Sequence, residues 1–210
     1  MVSELSMNAP DFAERDRLRE RLCRFPAVLH TVIGESLLSR PIDLFRIGAG
    51  EYRILLVAAH HAMEHITALL LYDFAFSLVF RIKKEDFFAK CLQKFSFFIV
   101  PALNPDGIEL LLHPDRQEKN PLFPRALRLN GGSDFSAWQA NARGVDLNHN
   151  YAAGFWEYKA IERARGITAG RTRFSGEYPE SEPETAALAA LTRAVGFSAV
   201  VSLQIGRAHV

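Results

Sequence analysis

His60-His-Ala-Met-Glu64-His65 places an imidazole, His61, three residues ahead of a carboxylate, Glu64. Imidazole nitrogen and carboxylate oxygen are both good zinc ligands, and an i, i+3 spacing at a helix start lets the two side chains converge on one point. The plainer alternative is a histidine bonded to a backbone carbonyl and a glutamate favoured by the positive end of the helix. His30, His65 and His113 lack a partner at useful spacing and read as ordinary core or surface histidines. Glu177, Glu180, Glu182 and Glu184 read as helix-start electrostatics rather than a metal cluster. Cys23 and Cys91 form no C-x-x-C, which argues against a cysteine zinc site and for a reducing compartment, and both read as small buried side chains; the charged run from Asp11 to Glu20, where a secretory signal needs an apolar core, gives a cytoplasmic expectation.

The elements that must position His61 and Glu64 follow from periodicity. Arg53 to Ala59 is a continuous apolar run of strand length, as expected for a strand covered on both faces, and a helical pattern from Ala62 to about Val79 follows at once. The pair therefore sits at a strand-to-helix junction, at the carboxyl end of a strand, where α/β sheets place their active groups. Phe95 to Val100 is predicted as a second buried strand, leading into the turn Asn104-Pro-Asp-Gly107, and Ala199 to Leu203 as a third. Val28 to Gly34 and Pro41 to Ile47 read as a hairpin. A first helix begins near Asp11, and a late one runs from Glu182 to about Val195 behind a capping-box pattern at Ser181. His113 to Gly154, rich in Pro, Asn, Gly and Arg, is too long for an ordinary connection and so reads as functional. The aromatic residues from Phe74 to Phe98 read as core.

Composition narrows the class. With 49% hydrophobic and 23% charged residues in 210, the chain is an ordinary folded α/β domain, and a net charge of +1 offers no field for nucleic acid or an anionic membrane. The most apolar stretch, Ile66 to Phe80, carries Asp73 and is shorter than the roughly 20 residues of a bilayer span, so it reads as a buried helix. Oligomeric state is not legible.

Taken in order, the HHAME element, Asn104-Pro-Asp-Gly107, Asn141-Ala-Arg-Gly-Val-Asp-Leu-Asn-His-Asn-Tyr151 and Tyr178-Pro-Glu-Ser-Glu-Pro-Glu-Thr185 resemble the zinc carboxypeptidase family. The nearest flavour is its bacterial branch of γ-D-glutamyl-diaminopimelate peptidases. The resemblance covers residues 39–203 and implies a carboxypeptidase-like mixed central sheet flanked by helices, incomplete at the C-terminus. It also implies one zinc ion with His61 and Glu64 as its first two ligands, Asn148 and His149 at the substrate, and hydrolysis of small, cell-wall-type peptides by metal-activated water. The general-base glutamate would lie beyond the end of the chain.

Three departures accompany it. His149 stands where the family clamps a terminal carboxylate with arginine, and as a partial cation it should bind that group less strictly, more weakly above its pKa. Gln139 stands where an arginine would polarise the scissile carbonyl, leaving Arg143 as the candidate catalytic cation. Gln204 stands where the third zinc histidine would be. Two rival readings are a non-catalytic peptide-binding module of the same fold and an aspartoacylase-type zinc amidohydrolase.

Residues 205–210, Ile-Gly-Arg-Ala-His-Val, match one reading frame of a widely used sequencing-adapter strand, followed there by a stop codon. The expectation is a carboxypeptidase-like region over 1–204 with a non-native tail over 205–210, Gln204 standing where the gene encodes histidine. The 210-residue chain should then be inactive and poorly soluble, with an open sheet edge after Leu203.

Overall fold

The computed structural model describes residues 8–82 and 84–205. Gly206–Val210, and with them most of the expected non-native tail, lie outside the described residues. Among the described residues five strands form one mixed sheet: β1 (Val28–Glu35), β2 (Pro41–Ile47), β3 (Tyr52–Ala58), β4 (Phe95–Val100) and β5 (Ala199–Leu203), in the order β1-β2-β4-β3-β5. β1 and β2 are the antiparallel hairpin that the sequence predicts, whereas β3 runs parallel to both β4 and β5. The expected mixed sheet flanked by helices is thus present.

Seven α-helices accompany it among the described residues: α1 (Phe12–Cys23), α2 (Ile66–Ile82), α3 (Asp86–Lys94), α4 (Pro105–Leu112), α5 (Phe123–Asn130), α6 (Phe155–Ala164) and α7 (Pro183–Val195). On one face of the sheet, Leu18 and Leu22 of α1 and Tyr72 and Phe76 of α2 pack with Phe45, Ile47 and Ile99. On the other, Leu188 of α7 and Leu147 pack with Ile42, Leu55, Val57 and Phe98. Cover on both faces is why β3 and β4 read as unbroken apolar runs instead of alternating ones. Residues 62–82 reach the length and hydropathy of a bilayer span, longer than the run read from sequence, yet half of that segment's most apolar window is buried in this domain.

Several expectations fail for local reasons. Asn104-Pro-Asp-Gly107 is the start of α4 and not only a turn: the Asn104 side chain accepts the Gly107 N–H, and Pro105 occupies the first turn, where its missing donor costs nothing. The stretch read as one long connection contains α5, and α3 and α6 escaped the periodicity reading. The Ser181 capping box does not form. Glu182 occupies the N-cap position, and the Ser181 hydroxyl bonds instead to Asn150 and to the Glu182 carboxylate. Cys23, Phe80 and Phe87 are exposed, not core.

The third apolar run, Ala199–Leu203, forms the strand read from sequence and lies at the sheet edge, matching the open edge expected there: Ala199, Val200, Val201 and Ser202 are exposed and only Leu203 is half-covered. An apolar groove of about 680 Å³ runs beside it, floored by Ile66 and Leu70 of α2 together with Leu203 and Ile205. An unpaired apolar edge templates strand addition, and a lysine on it opposes that. Val201→Lys in the 210-residue chain should therefore shift its sedimentation profile towards monomer; an unchanged profile would trace association to another surface.

Candidate metal centre

β3 delivers its carboxyl end through one strained residue. Ala59 has φ of +52°, a left-handed conformation that costs an L-residue roughly 1–2 kcal/mol. It is held by three contacts: its N–H donates to Thr67 Oγ1 (3.1 Å), its carbonyl accepts the Asn104 N–H (3.1 Å), and Thr67 Oγ1 donates onward to the Glu64 carbonyl (2.7 Å). The chain then turns through a 3-10 segment, Ala62–Glu64, rather than entering an α-helix directly at Ala62 as predicted.

That turn brings His61 and Glu64 together. His61 Nδ1 lies 3.1 Å from Glu64 Oε1, and on its far side the Nε2–H donates to Asp146 Oδ1 at 3.1 Å. Burial would lower the His61 pKa, but the hydrogen bonds and charges of Asp146 and Glu64 overcome it and raise the value to about 9. The metal-free site thus prefers a positive charge between two carboxylates. A proton supplies it here, and a divalent cation on the Nδ1 side would do so more strongly. Glu64 Oε2 is buried with no hydrogen-bond partner, a vacant electron pair beside that position. Asp146, itself held ionised by His61 against the cost of burial, fixes the imidazole with Nε2 protonated and Nδ1 facing Glu64. These residues fit zinc as two ligands and an orienting carboxylate. No group of three metal-binding side chains is assembled among the described residues.

The remaining candidates divide between two sides of the sheet end. A cleft of about 450 Å³ is lined by His61, Gln139, Asp146, His149, Arg171 and Arg173, among others. Asn148 and Gln204 lie outside it: Gln204 Nε2 donates to Asn148 Oδ1 at 2.7 Å, and both line a separate groove beside Tyr151 and Val200. Arg143 does not line the cleft either, its guanidinium lying 3.5 Å from Glu182 Oε1. His149 stacks flat on Tyr158 at 4.0 Å between ring centroids. Burial depresses its pKa, in keeping with the expectation that it carries at most a partial charge near pH 7. His60 is buried, bonded through Nε2 to the Tyr151 hydroxyl (2.9 Å), and burial beside His61 depresses its pKa to about 4.

Three asparagines that lie inside the sequence motifs, with no spacing that marks a role, organise this region. Asn104 Nδ2 donates to the carbonyls of His60 and Ala140, joining the end of β3 to the 139–140 segment. Gly107 is required beneath it, because a Cβ there would fall 2.6 Å from the Ala140 carbonyl. Asn141 accepts the Arg143 and Val145 N–H groups and donates to Glu182 Oε2. Asn150 accepts the Glu182 N–H and donates to the Ser175 carbonyl. All three asparagines are fully buried. The motif acids are likewise structural partners: Glu180 makes a two-pronged contact with Arg193, and Glu182 receives Asn141, so neither serves as a side-chain helix cap.

The sequence profile of the zinc carboxypeptidase family matches residues 16–210. The chain belongs to that family. Among its relatives, gamma-D-glutamyl-L-diamino acid endopeptidase 1 of Lysinibacillus sphaericus is 33% identical over 186 residues, covering 85% of this chain and 46% of the relative. Among solved structures, bovine thrombin-activatable fibrinolysis inhibitor in complex with tick carboxypeptidase inhibitor superposes with a TM-score of 0.67 at 23% identity, covering 93% of this chain and 60% of that one. Murein-tripeptide amidase MpaA from Escherichia coli O157 gives 0.53 at 23% identity, over 90% of this chain and 66% of that one. The chain spans about half the length of the curated relatives it matches.

Two buried groups destabilise the metal-free protein as pH rises above neutrality. His61, raised from 6.5 to about 9, contributes stability that is complete below pH 6.5 and lost as pH rises through about 9. Glu184, raised by burial and by Asp106 and Glu182 from 4.5 to about 8, contributes stability lost in the same direction, between pH 4.5 and 8. The melting temperature of the chelator-treated chain should therefore fall from pH 6.5 to 9. Asp146→Asn should flatten the upper part of that fall, and Glu184→Gln the lower. A wild-type profile that is level across this range would contradict both assignments.

Proposed function

We propose that the protein is a zinc-dependent peptidase acting on short peptides with γ-D-glutamyl linkages, in which His61 and Glu64 supply two ligands to one zinc ion. The observation that carries this reading is the His61–Glu64 pair with Asp146 behind it, a ligand pair whose orientation is already fixed. Family membership and the names of two relatives, one acting at gamma-D-glutamyl linkages and the other a murein-tripeptide amidase, support the substrate class. When bound, the metal would activate water and polarise the scissile carbonyl. Asp146 would hold His61 in the ligating tautomer, Thr67 and Ala59 would fix the turn that presents Glu64, and the stacked His149 and Tyr158 would wall one side of the substrate cleft.

A second reading, a non-catalytic peptide-binding module, is favoured by Gln139, His149 and Gln204 at positions where the resemblance calls for two arginines and a histidine. The two separate cleanly. The full gene product, measured by inductively coupled plasma analysis, should hold about one zinc per chain. His61→Ala or Glu64→Ala should each lower zinc affinity at least about tenfold, and zinc should bind more tightly as pH rises towards 9, because metal and proton compete for the same nitrogen. Turnover of an L-alanyl-γ-D-glutamyl-diamino acid peptide should stop on chelation. A folded wild type that takes up no zinc, or that binds the peptide without zinc-dependent turnover, would overturn the peptidase reading in favour of the module.

A further inference from the structure

The cleft beside His61 is lined by two arginines, Arg171 and Arg173, that nothing in the protein employs. Among the described residues neither guanidinium has an ion-pair or hydrogen-bond partner, whereas Arg143, the cation expected from sequence, is committed to Glu182. The cleft's own carboxylate, Asp146, is occupied by His61 on one oxygen and by backbone on the other. The fixed charge left for a ligand is therefore positive.

The backbone carrying the two arginines is itself anchored. Arg173 has φ of +70°, left-handed and non-glycine, and is clamped at both ends: its N–H donates to Asp146 Oδ2 at 2.8 Å, and its carbonyl accepts the Tyr158 hydroxyl at 2.9 Å. The Arg171 carbonyl accepts two N–H groups, from Gln139 (2.9 Å) and Ala140 (3.0 Å). Thr172, between them, bonds through its hydroxyl to the Gln139 side chain. Both arginines are exposed to the cleft side of the surface, and what is fixed is the backbone that carries them. Here Asp146, which orients His61, also sets the backbone of Arg173, so ligand pair and cations share one frame.

We propose that Arg171 and Arg173 form a carboxylate-binding subsite that recognises the pendant α-carboxylate of a γ-linked glutamyl residue, replacing the cations absent at Gln139 and His149. The assignment of that carboxylate rests on the peptidase reading above. A γ-linkage leaves the glutamyl α-carboxylate free beside the backbone, and a planar guanidinium meets a carboxylate with two parallel hydrogen bonds.

The test compares two peptides, L-alanyl-γ-D-glutamyl-L-lysine and its analogue carrying an α-carboxamide on the glutamyl residue, by calorimetry on the chelator-treated full gene product, where no turnover intervenes. The wild type should bind the free acid at least about tenfold more tightly than the amide, a margin that shrinks with added salt. The double variant Arg171→Ala/Arg173→Ala should bring the two affinities together, and Arg171→Glu/Arg173→Glu should reverse their order, with a wild-type-like circular dichroism spectrum and melting transition reporting that both variants are folded. A preference that survives in the double alanine variant overturns the subsite, as does a wild type that binds the two peptides equally or binds neither. The peptidase reading fails separately: loss of the preference in the variants with no zinc-dependent turnover in the wild type keeps the subsite and removes the peptidase, whereas turnover that ignores the α-carboxylate does the reverse.

Discussion

One buried carboxylate carries the arrangement of this protein's candidate site. Asp146 is 2% exposed, and its two oxygens serve opposite walls of the cleft, Oδ1 fixing His61 and Oδ2 fixing the Arg173 backbone. Its own N–H donates to the Phe174 carbonyl at 2.7 Å, so the 145–147 and 172–174 segments are bound to each other through it. A carboxylate can be buried this far only if its charge is met, and a protonated or metal-bound imidazole together with oriented N–H groups meets it. Removing either partner leaves an unpaired charge in a dry site, which is more damaging than the loss of one contact. The geometry of the ligand pair and the position of the arginines are thus one constraint.

Around that carboxylate, regular secondary structure contributes less than amide side chains do. The path from α4 to α7 contains no strand among the described residues, yet its buried backbone groups must find partners. Asn104, Asn141 and Asn150 supply them, each presenting a donor and an acceptor from one planar group to segments far apart in sequence. Asp106 does the same for the β1–β2 connection, accepting from Ser36, the Leu38 N–H and Arg40. The short motifs of the sequence are, in this sense, mostly scaffolding for a loop-built wall.

What could be read from sequence follows from which signals are local. The strands and α2 were legible because apolar runs such as Arg53–Ala59 and Phe95–Val100 report burial directly, and His61–Glu64 was legible because its spacing is short. Asp146 lies inside a motif but its role is not legible there, since its partner His61 is 85 residues away and no periodicity links them. Arg171 and Arg173 lie outside every motif and carry no spacing signal, whereas Arg143 lies within one. For β5, Val200 and Val201 have the composition of a core strand, and composition cannot say which neighbour a strand lacks; the break in pattern after Leu203 is what announces the open edge.

The sheet order has a consequence in time. β5 completes its pairing against β3, yet roughly a hundred residues separate it from β4, the preceding strand. At synthesis rates of about 5–20 residues per second, that edge of β3 waits on the order of 5–20 s on the ribosome for its neighbour. During that interval Leu55 and Val57, fully covered in the finished domain, lack one flank. The stretch that makes the chain wait is the one that builds the cleft, so nascent chains pass through a window in which chaperone capture or misassembly competes with completion of the site.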